Sequence, residues 1–168
     1  MWWWAALVLL GVSGCGPNDP LDRVVAAESP AAFGLWKSQS TGRLTAQQSR
    51  DLDEAIQELK LAIMAGREAT GSAEIDAAMR AKIDGRPVRE ALRLGFENKV
   101  KRLELERKGL LIATEQNSRL ITRPGDTKSS VYLDQFREKQ AARLAAADRE
   151  LLAAQEKLKA LGAPAATH

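Results

Sequence analysis

The sequence predicts an all-α protein: a long antiparallel helical hairpin within a small helical bundle with coiled-coil-like packing. The long middle stretches are rich in Ala, Leu, Glu, Lys, Arg and Gln, and aromatic residues make up only 5% of the 168 residues. This composition is typical of long helices rather than sheets. Apolar residues also recur at spacings of three and four, which indicates helices that pack along one face. Breaks that contain Gly and Pro separate these periodic segments.

The first predicted helix covers residues 30–38. Ser29 and Pro30 mark its start, because serine caps helices well and proline is favoured at the first helical position. Phe33 and Trp36 share one side of this helix. We expect that side to pack on the main domain or, alternatively, to lie on a membrane surface.

Two more helices are predicted over residues 46–69 and 73–84, the first capped by Thr45 and ended by Gly71. The seam of the first runs through Leu52, Ile56, Leu59, Ile63 and Gly66, with Ala55 and Ala62 behind it. Ile75, Met79 and Ile83 are the apolar positions of the second.

The two longest helices are predicted over residues 87–117 and 131–161. Each spans about 31 residues, or roughly 45 Å, and a single loop joins them, which favours an antiparallel hairpin. The seam of the first is Val88, Leu92, Phe96, Val100, Leu103 and Leu110, which Leu94, Leu105, Leu111 and Ile112 are expected to widen. The seam of the second is Leu133, Phe136, Gln140, Leu144, Ala147, Leu151, Ala154, Leu158 and Leu161, and Leu151 is expected to be buried.

Residues 1–14 are predicted to be an export signal. The apolar run from Trp2 to Val12 is too short for a transmembrane helix, which needs about 20 residues, and it suits the hydrophobic region of a signal peptide. The sequence Val12-Ser13-Gly14-Cys15 that follows resembles the lipobox of bacterial lipoproteins.

That resemblance implies cleavage before Cys15 and attachment of lipid to its thiol, so that the membrane is a partner through this anchor. It also implies that the domain faces the periplasm. In this family an Asp directly after the cysteine favours retention at the inner membrane; here the position is Gly16, which favours the outer membrane. Residues 15–28 are predicted to form a flexible tether, residues 29–162 the helical domain, and residues 163–168 a disordered tail.

Catalytic and cofactor-dependent functions find little support in the residues. Cys15 is the only cysteine and His168 the only histidine, so cysteine–histidine metal sites and most His-dependent catalysis are disfavoured. The phosphate-binding, nucleophile-elbow and zinc-protease motifs are missing. The net charge of +3 comes from interleaved acids and bases, which does not indicate nucleic-acid binding. We therefore expect a protein that is not an enzyme, with no cofactor, metal or small-molecule substrate.

The loop at residues 118–130 is the best candidate for contact with a partner. Its candidate contact residues are Arg119, Leu120, Ile121, Arg123 and Lys128. If Leu120 and Ile121 are exposed in this basic loop, they would suit docking of a partner. Alternatively, these two side chains fold back onto the helices and fill the end of the bundle.

The sequence thus favours a lipid-anchored, non-catalytic envelope protein that acts by protein–protein contact or self-association as a scaffold, adaptor or structural component. One alternative is a periplasmic holdase-like binder of unfolded clients, for which exposed apolar surface on the helical arms would argue. A second alternative is a modulator of a cell-wall enzyme.

Overall fold

The computed structural model describes residues 19–122 and 125–162, and the predicted all-α fold is confirmed. The chain forms a 3-10 turn at Pro20–Asp22 and then five helices, with no strand in these two ranges. The helices are α1 (Pro30–Thr41), α2 (Ala46–Ala65), α3 (Ser72–Ile83), α4 (Val88–Ser118) and α5 (Thr127–Gly162). The predicted signal peptide, the lipobox with Cys15 and the predicted disordered tail lie outside the described residues.

The helix ends follow local capping chemistry, which explains where they differ from the predicted bounds. α2 ends at Ala65 rather than at residue 69, because Gly66 caps it and Arg67 turns into the left-handed region at a φ of 54°. α5 begins four residues before the predicted start, because the Asp126 carboxylate accepts a hydrogen bond from the backbone N–H of Ser129.

Ion pairs show how α2 and α4 are oriented. Arg102 on α4 binds Glu58 on α2, with 2.6 Å between Nη2 and Oε1, and Lys99, one turn earlier on α4, binds Glu54, one turn earlier on α2. Because both residue numbers rise together, α2 and α4 run in the same direction. The shorter α3 packs against α2, where Lys60 of α2 pairs with Asp76 of α3 at 2.6 Å.

α4 and α5 form the predicted antiparallel hairpin. Asn117 lies near the end of α4 and donates a hydrogen bond to Gln140 early in α5, whereas Arg107, ten residues earlier, pairs with Asp148. As the numbers rise along α4 they fall along α5, which is the register of an antiparallel pair.

The molecule has two parts, which we call the body and the arm. The body comprises residues 19–103 and the last turns of α5, and Phe96, Leu59 and Ile83 lie among its most deeply buried side chains. The arm comprises the end of α4 (residues 104–118), the start of α5 (residues 127–146) and their connection. Since α2 ends at Ala65, the arm is a two-helix structure with a narrow seam.

The closest approach in the body is between α4 and α2 at Gly95. A Cβ atom built on Gly95 would lie 2.6 Å from the carbonyl oxygen of Ala55 and would also overlap its Cα and Cβ. These are backbone or near-backbone atoms, so they cannot rotate away. Glycine at position 95 therefore sets how closely the two helices pack.

The segment 19–28 is not the flexible tether that the sequence predicted. Val25 and Ala27 are 0% and 2% exposed. The backbone N–H of Val25 donates to the carbonyl of Arg86 at 2.8 Å, and the Trp36 indole N–H donates to the carbonyl of Val24 at 2.9 Å. The prediction rested on nearby Gly and Pro residues and overlooked these buried apolar side chains.

The arm exposes residues that were predicted to widen the α4 seam. Leu105, Leu111 and Ile112 are 72%, 41% and 47% exposed, because no third helix covers this length of α4, whereas Leu94 packs against the core as predicted.

The α5 seam lies on the less exposed side of its helix, as predicted, but only Ala147 and Ala154 are fully buried. Leu151 is half-buried rather than buried. Small residues at the deepest positions thus keep the two helices of the hairpin close together.

We predict that Gly95→Ala lowers the free energy of unfolding by about 1–2 kcal/mol, because overpacking a tight contact typically costs about 1–3 kcal/mol. Gly34→Ala is the matched control: its Cβ would meet no described atom within 4 Å, so α1 should gain up to about 1 kcal/mol of helix propensity. Urea unfolding followed by circular dichroism measures both. Equal effects of the two substitutions would show that the contact at Gly95 does not limit packing.

Candidate interaction surface at the end of the arm

The end of the arm exposes four apolar side chains, which we call the tip surface: Leu120, Ile121, Val131 and Tyr132. Their exposed fractions are 52%, 95%, 55% and 71%. Ile121 therefore does not fold back to plug the bundle, which was the alternative role predicted for this loop. The first two residues follow α4 and the last two lie in the first turns of α5.

Arg137 on α5 fastens the connection at the tip. Its Nη2 donates to the carbonyl oxygen of Leu120 at 3.0 Å and makes longer hydrogen bonds, of 3.4 and 3.5 Å, to those of Asn117 and Ser118. The last carbonyls of a helix lack partners within it, and a guanidinium satisfies several at once. The role of Arg137 was not predicted from the sequence. The available signal was a cation about three turns into α5, opposite the end of α4, whose last turn contains no basic residue.

Asp126 fixes the other side of the connection. Its carboxylate accepts a hydrogen bond from the Ser129 hydroxyl at 2.7 Å and from the Ser129 backbone N–H at 3.1 Å. These hydrogen bonds hold the pKa of Asp126 below its usual value of 3.8, and a charged carboxylate also suits the start of a helix. The tip surface is thus presented between two capped helix ends.

The predicted basic residues are partly assembled at the tip. Arg119 is exposed and forms an ion pair with Glu115, with 2.7 Å between Nη2 and Oε1. Lys128 is exposed and makes no ion pair with any described residue. Arg123 lies outside the described residues. Leu120, Ile121 and Lys128 are therefore the predicted contact residues that the structure presents to solvent without a competing ion pair.

Two shallow depressions flank the tip surface. One, of about 390 Å³, is lined by Thr127, Lys128, Val131, Tyr132 and Gln135. The other, of about 260 Å³, lies under the connection and is lined in part by Leu120, Ile121 and Arg137. An open surface of apolar groups beside the Lys128 ammonium, which pairs with no described carboxylate, suits contact with another macromolecule better than enclosure of a small molecule.

The strongest cluster of charges lies elsewhere, at the crossing of α2, α4 and α5. Lys157 on α5 contacts Asp51 at 2.8 Å and Glu54 at 2.9 Å, and its ammonium lies 4.8 Å from the ring centre of Phe96. Lys99 contacts the other carboxylate oxygen of Glu54. Acids and bases are matched here, and the cluster holds the end of α5 on the body.

Within residues 19–122 and 125–162, no helix is both long and apolar enough to span a membrane. The same ranges contain no cluster of three or more acidic, His or Cys side chains suited to a metal ion. Comparison with protein-family models, with curated proteins and with solved structures found no match to this chain.

We predict that the contribution of Glu54 to stability is present near neutral pH and is lost in acid. Burial alone raises the pKa of this carboxyl, but hydrogen bonds from Lys99 and Lys157 outweigh burial and lower it below 4.5. A carboxyl whose folded pKa is depressed stabilises the fold above its unfolded pKa and loses that effect as the pH falls through the folded pKa.

Glu54→Gln should therefore unfold more easily than the unmodified chain at pH 7, and the difference should shrink towards pH 3. Urea unfolding across this pH range measures the difference, with the exposed Glu138→Gln as control. A difference that stays constant with pH would contradict the assigned ion pairs.

Proposed function

We propose that this chain is a lipid-anchored, non-catalytic protein of the bacterial cell envelope that acts by contact with another protein, as a scaffold or adaptor. The observation that carries the proposal is the arm, which presents exposed apolar groups at a distance from the body. The lipobox-like sequence that ends at Cys15 supports the anchor, and the small number of groups suited to catalysis supports a role in binding.

The two ends of α4 separate the proposed anchor from the tip surface. Asp19, four residues after Cys15, forms an ion pair with Arg89 in the first turns of α4, at 2.5 Å. The tip surface begins directly after Ser118, at the other end of this 31-residue helix, about 45 Å away. A lipid on Cys15 would tether the chain near the end of α4 opposite the tip surface, so that the tip surface could reach up to about 45 Å further from the membrane than the start of α4.

Exposed apolar residues along the arm favour a second candidate, the holdase-like binder. Leu105, Leu111 and Ile112 together offer surface on which an unfolded segment could be held. An aggregation assay with a heat-denatured client separates the two candidates. Protection that is lost in the double variant Leu105→Ser/Ile112→Ser and kept in variants of the tip surface would favour the holdase-like binder over the adaptor.

We predict that Cys15→Ala abolishes incorporation of radiolabelled palmitate and leaves the signal peptide attached, because the thiol is the acceptor of the lipid. Gel mobility and autoradiography of the labelled chain measure both effects. Ser38→Ala, at an exposed position of α1, is the control and should be processed normally. A Cys15→Ala chain that is still cleaved and held by the membrane would exclude the anchor.

We predict that Ile121→Ser and Lys128→Glu reduce recovery of the partner in a crosslinked pull-down from native membranes while the melting temperature stays nearly unchanged. Exposed substitutions usually alter stability by no more than about 0.5 kcal/mol, so binding and folding separate here. Charge reversal at Arg119 should have a smaller effect, because Glu115 already pairs with it. Lys139→Glu, on an exposed position of α5, is the matched control, and an unchanged set of crosslinked proteins in the Ile121 and Lys128 variants would contradict the role of the tip.

A further inference from the structure

A second surface runs along α4 and belongs neither to the tip nor to the core. Leu105, Gly109, Ile112 and Gln116 follow one another at spacings of four, three and four, which places them on one face of the helix. We call these four residues the α4 stripe. All of them are exposed, and Leu105 and Ile112 make it apolar.

The stripe continues an apolar groove in the body. Where α2 and α4 diverge, a groove of about 270 Å³ opens, with Leu61, Ala62, Ala65 and Leu105 as its apolar lining. Leu105 belongs to both features, so the groove and the stripe form one continuous surface about 20 Å long. This continuous surface lies on the α2 side of α4. The face of α4 that packs on α5, which contains Leu103 and Leu110, is a different one.

Gly109 lies in the middle of this surface without a described contact. A Cβ atom built there would meet no described atom within 4 Å, although glycine inside a helix is less favourable than alanine. Gly95, two heptads earlier on α4, is the position where Ala55 of α2 approaches the backbone. Gly109 would allow a second helix to approach α4 equally closely where α2 has ended.

We propose that the occupant of this surface is a second copy of the chain, with the two α4 helices packed antiparallel about a two-fold axis between Lys108 and Gly109. In this register, a residue of one copy lies opposite a residue of the other copy when their two numbers add up to about 217. Leu105 of one copy then meets Ile112 of the other, twice, at the mouth of the groove.

The charges beside the stripe are complementary in the same register. Lys101 has no ion pair with any described residue, and Glu115 holds only the exposed Arg119 on its own helix. The two-fold axis brings Lys101 of each copy to the level of Glu115 of the other, on the same side of the pair. A self-complementary surface of this kind is what a two-fold interface requires.

The dimer leaves the tip surface free, because the connection leaves α4 towards α5, on the other side of the helix. It requires neither the lipid anchor nor the docking role of the tip, but it covers Leu105 and Ile112, which the holdase-like candidate would use. The inference therefore goes beyond the proposed function, and either can fail without the other.

Disulfide trapping tests the register in the full chain carrying Cys15→Ser, so that each introduced cysteine is the only one. A mixture of Leu105→Cys and Ile112→Cys chains should form a disulfide-linked heterodimer under mild oxidation, because their Cα atoms would lie within disulfide reach only across an antiparallel pair. Each variant alone should give little product, and so should the control Leu111→Cys, an exposed position on another face of α4. Efficient homodimers of Leu105→Cys alone, or equal trapping of Leu111→Cys, would overturn the register.

A charge swap followed by sedimentation equilibrium tests the contact without cysteines. Lys101→Glu or Glu115→Lys alone should raise the dimer Kd about tenfold, since each places two like-charged pairs in the interface. The double variant Lys101→Glu/Glu115→Lys should restore the dimer, and Lys139→Glu should leave its Kd unchanged. A monomer mass at all concentrations, or single variants whose loss the double variant does not reverse, would exclude this interface.

Discussion

The structure depends on the close packing of α2 on α4 at Gly95. Because Gly95 has no side chain, the backbone at Ala55 approaches α4 to a distance that no other residue would permit. The ion pairs Glu54–Lys99 and Glu58–Arg102 join the same two helices within the next two turns of α4. The apolar residues of α3 then fill the remaining side of the core.

The end of α2 explains why the body and the arm differ. Gly66 caps α2, and past Ala65 the hairpin of α4 and α5 continues as two helices. Its seam is then narrow, with Ala147 as the deepest residue of α5 near the junction, and apolar residues that a third helix would cover remain at the surface. Exposed apolar surface on the arm is therefore a consequence of where α2 ends, and it is also what makes the arm suitable for contact with other chains.

Much of this fold could be predicted from the sequence, because helical periodicity states which residues share a face. The α5 seam is the clearest case, since the predicted positions are the less exposed side of the helix. Periodicity does not state where a neighbouring helix ends, which is why Leu105 and Ile112 were expected in the core and lie at the surface. It also does not identify contacts between segments far apart in the chain, such as Val25 with the turn before α4 or Arg137 with the end of α4.

The candidate surface could be predicted only in outline. The loop at residues 118–130 stood out by its composition, and the exposure of Ile121 agrees with a docking role. The exposure of Val131 and Tyr132 was not predicted, because α5 was expected to begin at residue 131, whereas these two residues lie on its exposed second turn. The cap at Asp126 moves the start of α5, and both residues then line a depression with Lys128, separate from the depression at Leu120 and Ile121.

Hydrogen exchange of the Gly95→Ala chain, followed by mass spectrometry, tests the central claim most directly. If the approach of α2 to α4 holds the body together, exchange should accelerate in α2 and α3, while residues 127–146 of the arm exchange as in the unmodified chain. Unchanged protection of α2, or an acceleration shared equally by body and arm, would contradict the dependence of the body on this one contact.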